Sequence, residues 1–373
     1  MSNTDLKWFP EKSSIYDISK SWLENLEQGP FIDGWKPVSR QKVDKEKWIE
    51  FIPGIKLQSP LGVPAGPLLN STWVKFALDA GFDLPTYKTI RSKKHLGHPV
   101  PNVLYLDGVG ERQFSKSDSG GYIHSTKKTP SGMTDLAITN SFGMPSMDKE
   151  YLKEDITKAN GYCQDGQAMI VSIVGTACDA HDFVQDFIDT AMVAVEAGSK
   201  IIEVNYSCPN VVTGEGQIYH NPQAVYEISS ALVKTLQPYN IPLFIKVGIM
   251  EDQEKMNALI QKTTEAGVTG ISGINTLSMK VTDKQSGLPS LGENRLSSGV
   301  CGAPIRDVAL DWVKSARSII DKQNSPLKLI GCGGIVEPQH FNQFLDAGAD
   351  IAMSATGLMF DPYLALKWHN KLY

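Results

Sequence analysis

"KIIEVNYS", residues 200 to 207, decides how the rest of the chain is read. In an extended segment successive side chains face opposite ways, so Ile202, Val204 and Tyr206 share one face while Glu203, Asn205 and Ser207 share the other. The run is preceded by "DAHDFVQDFIDTAMVAVEAG" (179–198) and followed by "NPQAVYEISSALVKTLQPY" (221–239), in which apolar residues return every three or four positions. A strand between two helices of this kind needs an apolar face for the helices. That sends Asn205, and Glu203 with it, toward an interior where a polar group needs a partner. A ligand at the end of the strand would supply one.

The same rhythm extends in both directions. "LGVPAG" (61–66), "DLPTYKTI" (83–90), "AMIVSIVG" (168–175), "PLFIKVGI" (242–249), "GISGINT" (270–276), "LKLIGCGG" (327–334) and "DIAMSAT" (350–356) bring the candidate strands to eight. Eight strand–helix units predict an α/β protein of the (β/α)8 TIM-barrel class, with an open doubly wound sheet as the alternative. The expected division is an N-terminal extension over residues 1–52 and a catalytic barrel over 53–373. Ile15, Ile18, Trp22, Leu23 and Leu26 form the apolar face of a predicted helix in the extension, which either packs on the barrel or docks a membrane or a partner. Two polar stretches, 107–133 and 282–299, break the rhythm and are expected as loops or small hairpins over the barrel mouth.

Bulk properties narrow the function. Of 373 residues 41% are apolar and 21% charged, and the net charge is −5, so nothing favours a polyanionic partner and nucleic acid is excluded. The cysteines (Cys163, Cys178, Cys208, Cys301, Cys332) form no CxxC pair, which signals neither zinc nor an iron–sulfur cluster and fits a reducing cytoplasm. The first residues, "MSNTDLKWFPEKSS", lack a signal-peptide pattern, and no run reaches the roughly eighteen apolar residues of a membrane span. The expectation is a soluble, metal-free protein.

Polar groups gather where strands end. Lys88, Asn205, Lys246 and the pair Asn275–Thr276 each close a strand, and barrel enzymes keep their sites at that rim, so ammonium and amide groups there suit a flat, polar, anionic ligand. "GCGG" (331–334) and "SATG" (354–357) follow the seventh and eighth strands, the usual place for a phosphate in such barrels.

With these motifs in place the chain resembles the dihydroorotate dehydrogenases, most closely the soluble class that uses a cysteine as base. "NYSCPN" (205–210) is similar to that family's Asn-x-Ser-Cys-Pro-Asn signature, and "NSFGMP" (140–145) to its substrate loop; the likeness runs from about Leu57 to Tyr363. The resemblance implies FMN as cofactor and dihydroorotate and orotate as substrate and product. It implies Cys208 as catalytic base with Lys88 beside it. Substrate contacts are implied for Lys88, Asn140, Gly143, Met144, Asn205 and Asn210, and for Asn275 and Thr276. Cofactor contacts are implied for Ala65, Gly66, Lys88, Thr89, Asn205 and Lys246, for Ile274 and Gly299, and for the phosphate-side residues Gly333, Gly334, Ala355 and Thr356. On this basis Cys208 removes the C5 proton while a hydride passes from C6 to the flavin.

Some positions depart from the family pattern. Asn102 stands where the soluble class tends to carry arginine, and "SGVCG" (298–302) puts Cys301 in a phosphate-side loop usually richer in glycine. The extension and the 107–133 excursion are atypical of the soluble class, which leaves the electron acceptor open among fumarate, a quinone and NAD through a partner subunit. A homodimer is the family habit. Two alternatives stand beside this reading: a dihydropyrimidine dehydrogenase-like flavoprotein, whose base would follow the third strand where this chain has Gly175 and then Cys178, and a non-catalytic barrel that binds a phosphorylated ligand.

Overall fold

The computed structural model describes residues 6–41, 43–176, 182–207, 217–250 and 252–372. Strands β1 (Leu61–Val63), β2 (Leu84–Ile90), β3 (Ile170–Ile173), β4 (Ile201–Asn205), β5 (Leu243–Lys246), β6 (Gly270–Gly273), β7 (Lys328–Cys332) and β8 (Ile351–Met353) pair in chain order. All are parallel, and β8 returns to β1 with Ala352 opposite Leu61. That last pairing closes a (β/α)8 barrel and removes the open-sheet alternative. Each strand lies inside one of the eight runs identified from the sequence.

Helices α1 (Ser71–Asp79), α2 (Lys149–Gly161), α3 (Phe183–Glu196), α4 (Pro222–Leu236), α5 (Gln253–Glu265), α6 (Arg306–Lys322), α7 (Pro338–Asp346) and α8 (Leu364–His369) connect and cover the strands. Their starts are written locally. Asn70, Asp148, Asp182, Asn221 and Asp252 precede α1 to α5, and each side-chain oxygen accepts a hydrogen bond from an amide of the first turn that has no partner within the helix.

Strand alternation sorts the two faces. Leu84, Ile170, Ile201, Phe244, Ile330 and Ile351 fill the lower barrel interior together with Phe51, Ile52 and Leu57. The last three come from a hairpin, Ile49–Ile52 paired with Ile55–Leu57, and the Phe51 ring stacks on Phe244 at 5.4 Å. The barrel floor is therefore packed, which leaves the C-terminal mouth as the place for a cavity.

Two regions differ from expectation. Segments Val103–Leu106, Tyr122–Thr126 and Ala137–Asn140 pair with Leu277–Asp283 and Ser298–Gly302 into a second, five-stranded closed sheet. The excursions are thus two parts of one structure, which pairs residues as far apart as Gly302 and Ala137. In the N-terminal segment the helix covers only Trp22–Gln28, because Ser21 and Glu24 form a reciprocal cap that fixes its start. Ile15 lies before it in non-helical chain and Leu23 is exposed, so the five residues do not share one helix face; Ile15, Trp22 and Leu26 are nonetheless buried in the main core. Ile15 donates its amide to Met359 O, and Trp73 on α1 donates to Asn25 O. Among the described residues no helix is long and apolar enough to cross a membrane.

Candidate active site

Two contiguous cavities, with empty volumes of about 890 and 870 Å³, open at the C-terminal mouth and share Ala65, Gly66, Asn140, Phe142, Asn275 and Thr276. One lobe lies over the ends of β5, β7 and β8 and is lined further by Lys246, Ile274, Gly333, Gly334, Ala355 and Thr356. The other is lined by Lys88, Thr89, Gly143, Met144, Asn205 and Gly299. Every predicted site residue in the described part of the chain borders one lobe or both. Cys208 and Asn210, like Cys178, lie outside the described residues.

Lys246 forms the floor of the lobe over β5, β7 and β8. Its register opposite Asn205 and Ser272 points it inward at the last step of β5, where it is buried. The ammonium donates to Cys332 Sγ at 2.8 Å and to Ser272 Oγ at 3.4 Å, and the Cys332 thiol donates to Ile274 O at 3.0 Å. Burial works against this charge, but Cys332 and Glu203 outweigh it and hold the pKa above lysine's ordinary value. Glu203 sits one layer lower, opposite Phe244 and Ser172, fully enclosed, with its pKa raised by burial against the pull of Lys246. The expectation that a ligand at the mouth satisfies Glu203 is corrected: the carboxyl borders neither lobe, and its charged neighbour is Lys246.

Above that floor the amides form a network. Asn205 Oδ1 accepts from both the backbone and the hydroxyl of Ser207, at 3.0 and 2.9 Å, while Asn275 Nδ2 donates to the same hydroxyl at 2.5 Å. Ser207 thereby ties β4 to the loop after β6. The substrate-loop candidates Gly143 and Met144 both have positive φ and are braced from behind, with Arg91 donating to Met144 O and Arg295 to Ser141 O. Lys88 reaches the lobe from β2, with Nζ 5.8 Å from the centre of the Trp22 ring. Thr89 shares a 3.0 Å hydrogen bond with Ser172.

The glycine-bearing turns are built for close approach. Gly334 has φ +72°, and a Cβ there would meet the backbone of Arg306 at 2.5 Å. Among the described residues the fold's own hydrogen bonds do not take up the amides of Gly333, Gly334, Ala355 and Thr356. Cys301, expected in a loop, is on the strand Ser298–Gly302 and accepts a hydrogen bond from Asn140 Nδ2 at 3.2 Å. The alternative base position is filled differently: the Phe187 ring occupies the space a side chain at Gly175 would need.

Several lining residues were not predicted from the sequence as part of the site. Tyr16 and Trp22 come from the N-terminal segment, and no local pattern announces a contact with strands so distant. Ser207 carried a signal, since it shares the polar face of β4 with Asn205. Among the described residues no group of three or more His, Cys, Asp or Glu side chains could hold a metal ion.

A closed (β/α)8 barrel whose mouth gathers buried ammonium, amide and unspent backbone N–H groups has the architecture of a small-molecule barrel enzyme. A family model described as dihydroorotate dehydrogenase matches residues 127–372. A dihydroorotate dehydrogenase of Dictyostelium discoideum is 68% identical over 367 residues, covering 98% of this chain and 99% of that protein. A dihydroorotate dehydrogenase A (fumarate) of Limosilactobacillus reuteri is 26% identical over 83% of this chain and 87% of its own. The crystal structure of an Eimeria tenella DHODH in complex with ferulenol has a similar fold, with a TM-score of 0.68 at 17% identity over 94% of this chain and 88% of that one. The chain belongs to the dihydroorotate dehydrogenase family.

Proposed function

We propose that the protein oxidises dihydroorotate to orotate, the redox step of pyrimidine biosynthesis, and holds FMN in the lobe over β5, β7 and β8. The observation that carries this reading is the convergence of Lys88, Asn140, Asn205, Asn275 and Thr276 on one lobe that opens directly onto a second lobe floored by Lys246.

The residues present fit FMN. The unspent amides of Gly333, Gly334, Ala355 and Thr356 suit phosphate oxygens, and the glycine turn that carries two of them is packed against Arg306 and Ala309. A buried ammonium at Lys246 suits the edge of a flavin ring that gains negative charge. When bound, FMN would supply the acceptor for a hydride leaving C6 of the substrate. Ala65, Gly66 and Ile274 would border it there, and Thr89 and Gly299 would meet it from the adjoining lobe.

The chain supplies the rest. Asn140, Asn205 and Asn275 hold the pyrimidine ring by its amide edges, with Asn210 added from the adjoining segment, and Lys88 faces the carboxylate side. Cys208, the residue after Ser207, takes the proton from C5. A free thiol has a pKa of roughly 8.5, and only the thiolate can take the proton, so activity should climb with pH until that form is complete. Cys208→Ala should keep the flavin and lose dihydroorotate oxidation. The working protein is a cytoplasmic homodimer on this reading.

An anaerobic titration with dihydroorotate tests the proposal, since stoichiometric bleaching of the flavin bands is expected with dihydroorotate and none with dihydrouracil. Offering fumarate, a quinone and NAD in turn to the bleached protein identifies the acceptor. A colourless purified protein, or bleaching by dihydrouracil alone, would overturn it.

A further inference from the structure

Cys301 has no task in the reaction just described, yet its surroundings are specific. The strand Ser298–Gly302 runs antiparallel to Ala137–Asn140, with Gly299 opposite Asn140 and Cys301 opposite Ile138. This diagonal places Asn140 Nδ2 3.2 Å from Cys301 Sγ. Burial pushes the Cys301 thiol up to about 11, so it is a neutral S–H at working pH, with the Thr356 side chain as its second polar neighbour. A neutral thiol can accept a hydrogen bond at sulfur while its own hydrogen goes elsewhere. Asn140 is also one of the few residues that border both lobes.

A carboxamide has two unlike ends, and an asparagine free to turn offers either one. The Cys301 sulfur draws the nitrogen of Asn140 toward itself and turns Oδ1 away from it. We infer that Cys301 is a positioning residue: it fixes the amide of Asn140 so that an oxygen acceptor meets an N–H of the bound cyclic amide. The inference rests on the dihydroorotate reading. A released Asn140 would present its NH2 group to a ring N–H for part of the time, and that hydrogen bond would go unmade.

The test compares Cys301→Ser with Cys301→Ala in the flavin-loaded protein, following the visible spectral change on orotate binding, with flavin content and thermal midpoint recorded alongside. Serine, a stronger acceptor of similar size, should keep orotate affinity within about twofold. Alanine should weaken it by about tenfold and raise KM for dihydroorotate more than it lowers kcat. Combining Cys301→Ala with Asn140→Ala should cost no affinity beyond Asn140→Ala alone, and this comparison still decides if the alanine variant loses general stability. Affinity kept by alanine but lost by serine would make the thiol an apolar filler, and full affinity in both would also overturn the inference. A wild-type protein that binds no orotate would instead remove the dihydroorotate reading itself.

Discussion

Lys246 and Cys332 meet at the cavity floor with Nζ 2.8 Å from Sγ, although 86 positions separate them in the chain. Neither is exposed, and Glu203 lies on the adjoining strand at the next layer down. An ammonium taken out of water at this depth is held by its partners rather than by solvent. Cys332 and Ser272 aim it; Glu203 balances it. The barrel thus carries a fixed cation at the floor of the lobe over β5, β7 and β8.

Removing that cation should expose the dependence of Glu203 on it. Lys246→Met leaves a carboxyl enclosed without its counter-charge, a loss expected to cost about 3–5 kcal/mol of unfolding free energy. Glu203→Gln in the same protein should recover at least about 1 kcal/mol, because each group lies in the other's electrostatic field in the barrel interior. Denaturant unfolding of the two single variants and the double variant measures this coupling. Strictly additive losses would mean that Glu203 and Lys246 ignore each other.

Gly334→Ala should yield a folded protein that retains little flavin. The residue has φ +72°, and an added Cβ would meet the Arg306 backbone at 2.5 Å, so the turn must shift to admit it. A shift moves the amides that suit the phosphate. The ratio of flavin to protein absorbance after purification reads this out, and a wild-type ratio would show that the turn does not grip the cofactor.

The strand ladder could be read from the sequence because the hydrophobic period switches between two and about 3.6, and because an Asp or Asn stands at five helix starts. Lys88, Asn205, Lys246 and Asn275 were legible for a related reason: strand alternation makes a polar residue on an inward face conspicuous. The five-stranded sheet was not. Its segment Tyr122–Thr126 has no buried residue, so nothing in its composition separates it from a loop, and its parallel partner Leu277–Asp283 begins more than one hundred residues later. Tyr16 and Trp22 were hidden in the same way, since their place at the cavity depends on how the N-terminal segment crosses the barrel.

That crossing is anchored by Arg40, which donates to both oxygens of Asp83 at 2.9 and 3.0 Å and also to Gln58. Asp83 is fully buried at the start of β2, with Ser59 and Gln167 as its other partners. Arg40→Ala leaves that carboxylate short of its cation and should destabilise the protein by about 3 kcal/mol. The pair lies at the opposite end of β2 from Lys88, so kcat/KM well below the new melting temperature should stay close to wild type. A large fall in kcat/KM without a fall in Tm would show instead that the crossing acts on the site.

His340 on α7 should make stability depend on pH. Its Nδ1 accepts from the amides of Val336 and Glu337, and Nε2 lies 2.9 Å from Arg306 and 3.4 Å from Glu337 Oε2. Burial, with Arg306 adding to it, depresses the imidazole pKa from 6.5 to about 4. A depressed pKa means that the unfolded chain takes up this proton first as the solution is acidified. The contribution is therefore fully present above about pH 6.5, falls between there and about pH 4, and levels off below, with a total near 3 kcal/mol. Asn at this position keeps an acceptor for the two amides but does not titrate. Unfolding free energies of wild type and His340→Asn, compared at about pH 7 and about pH 4, should converge as the pH falls; an unchanging difference would mean that His340 does not resist protonation in the folded state.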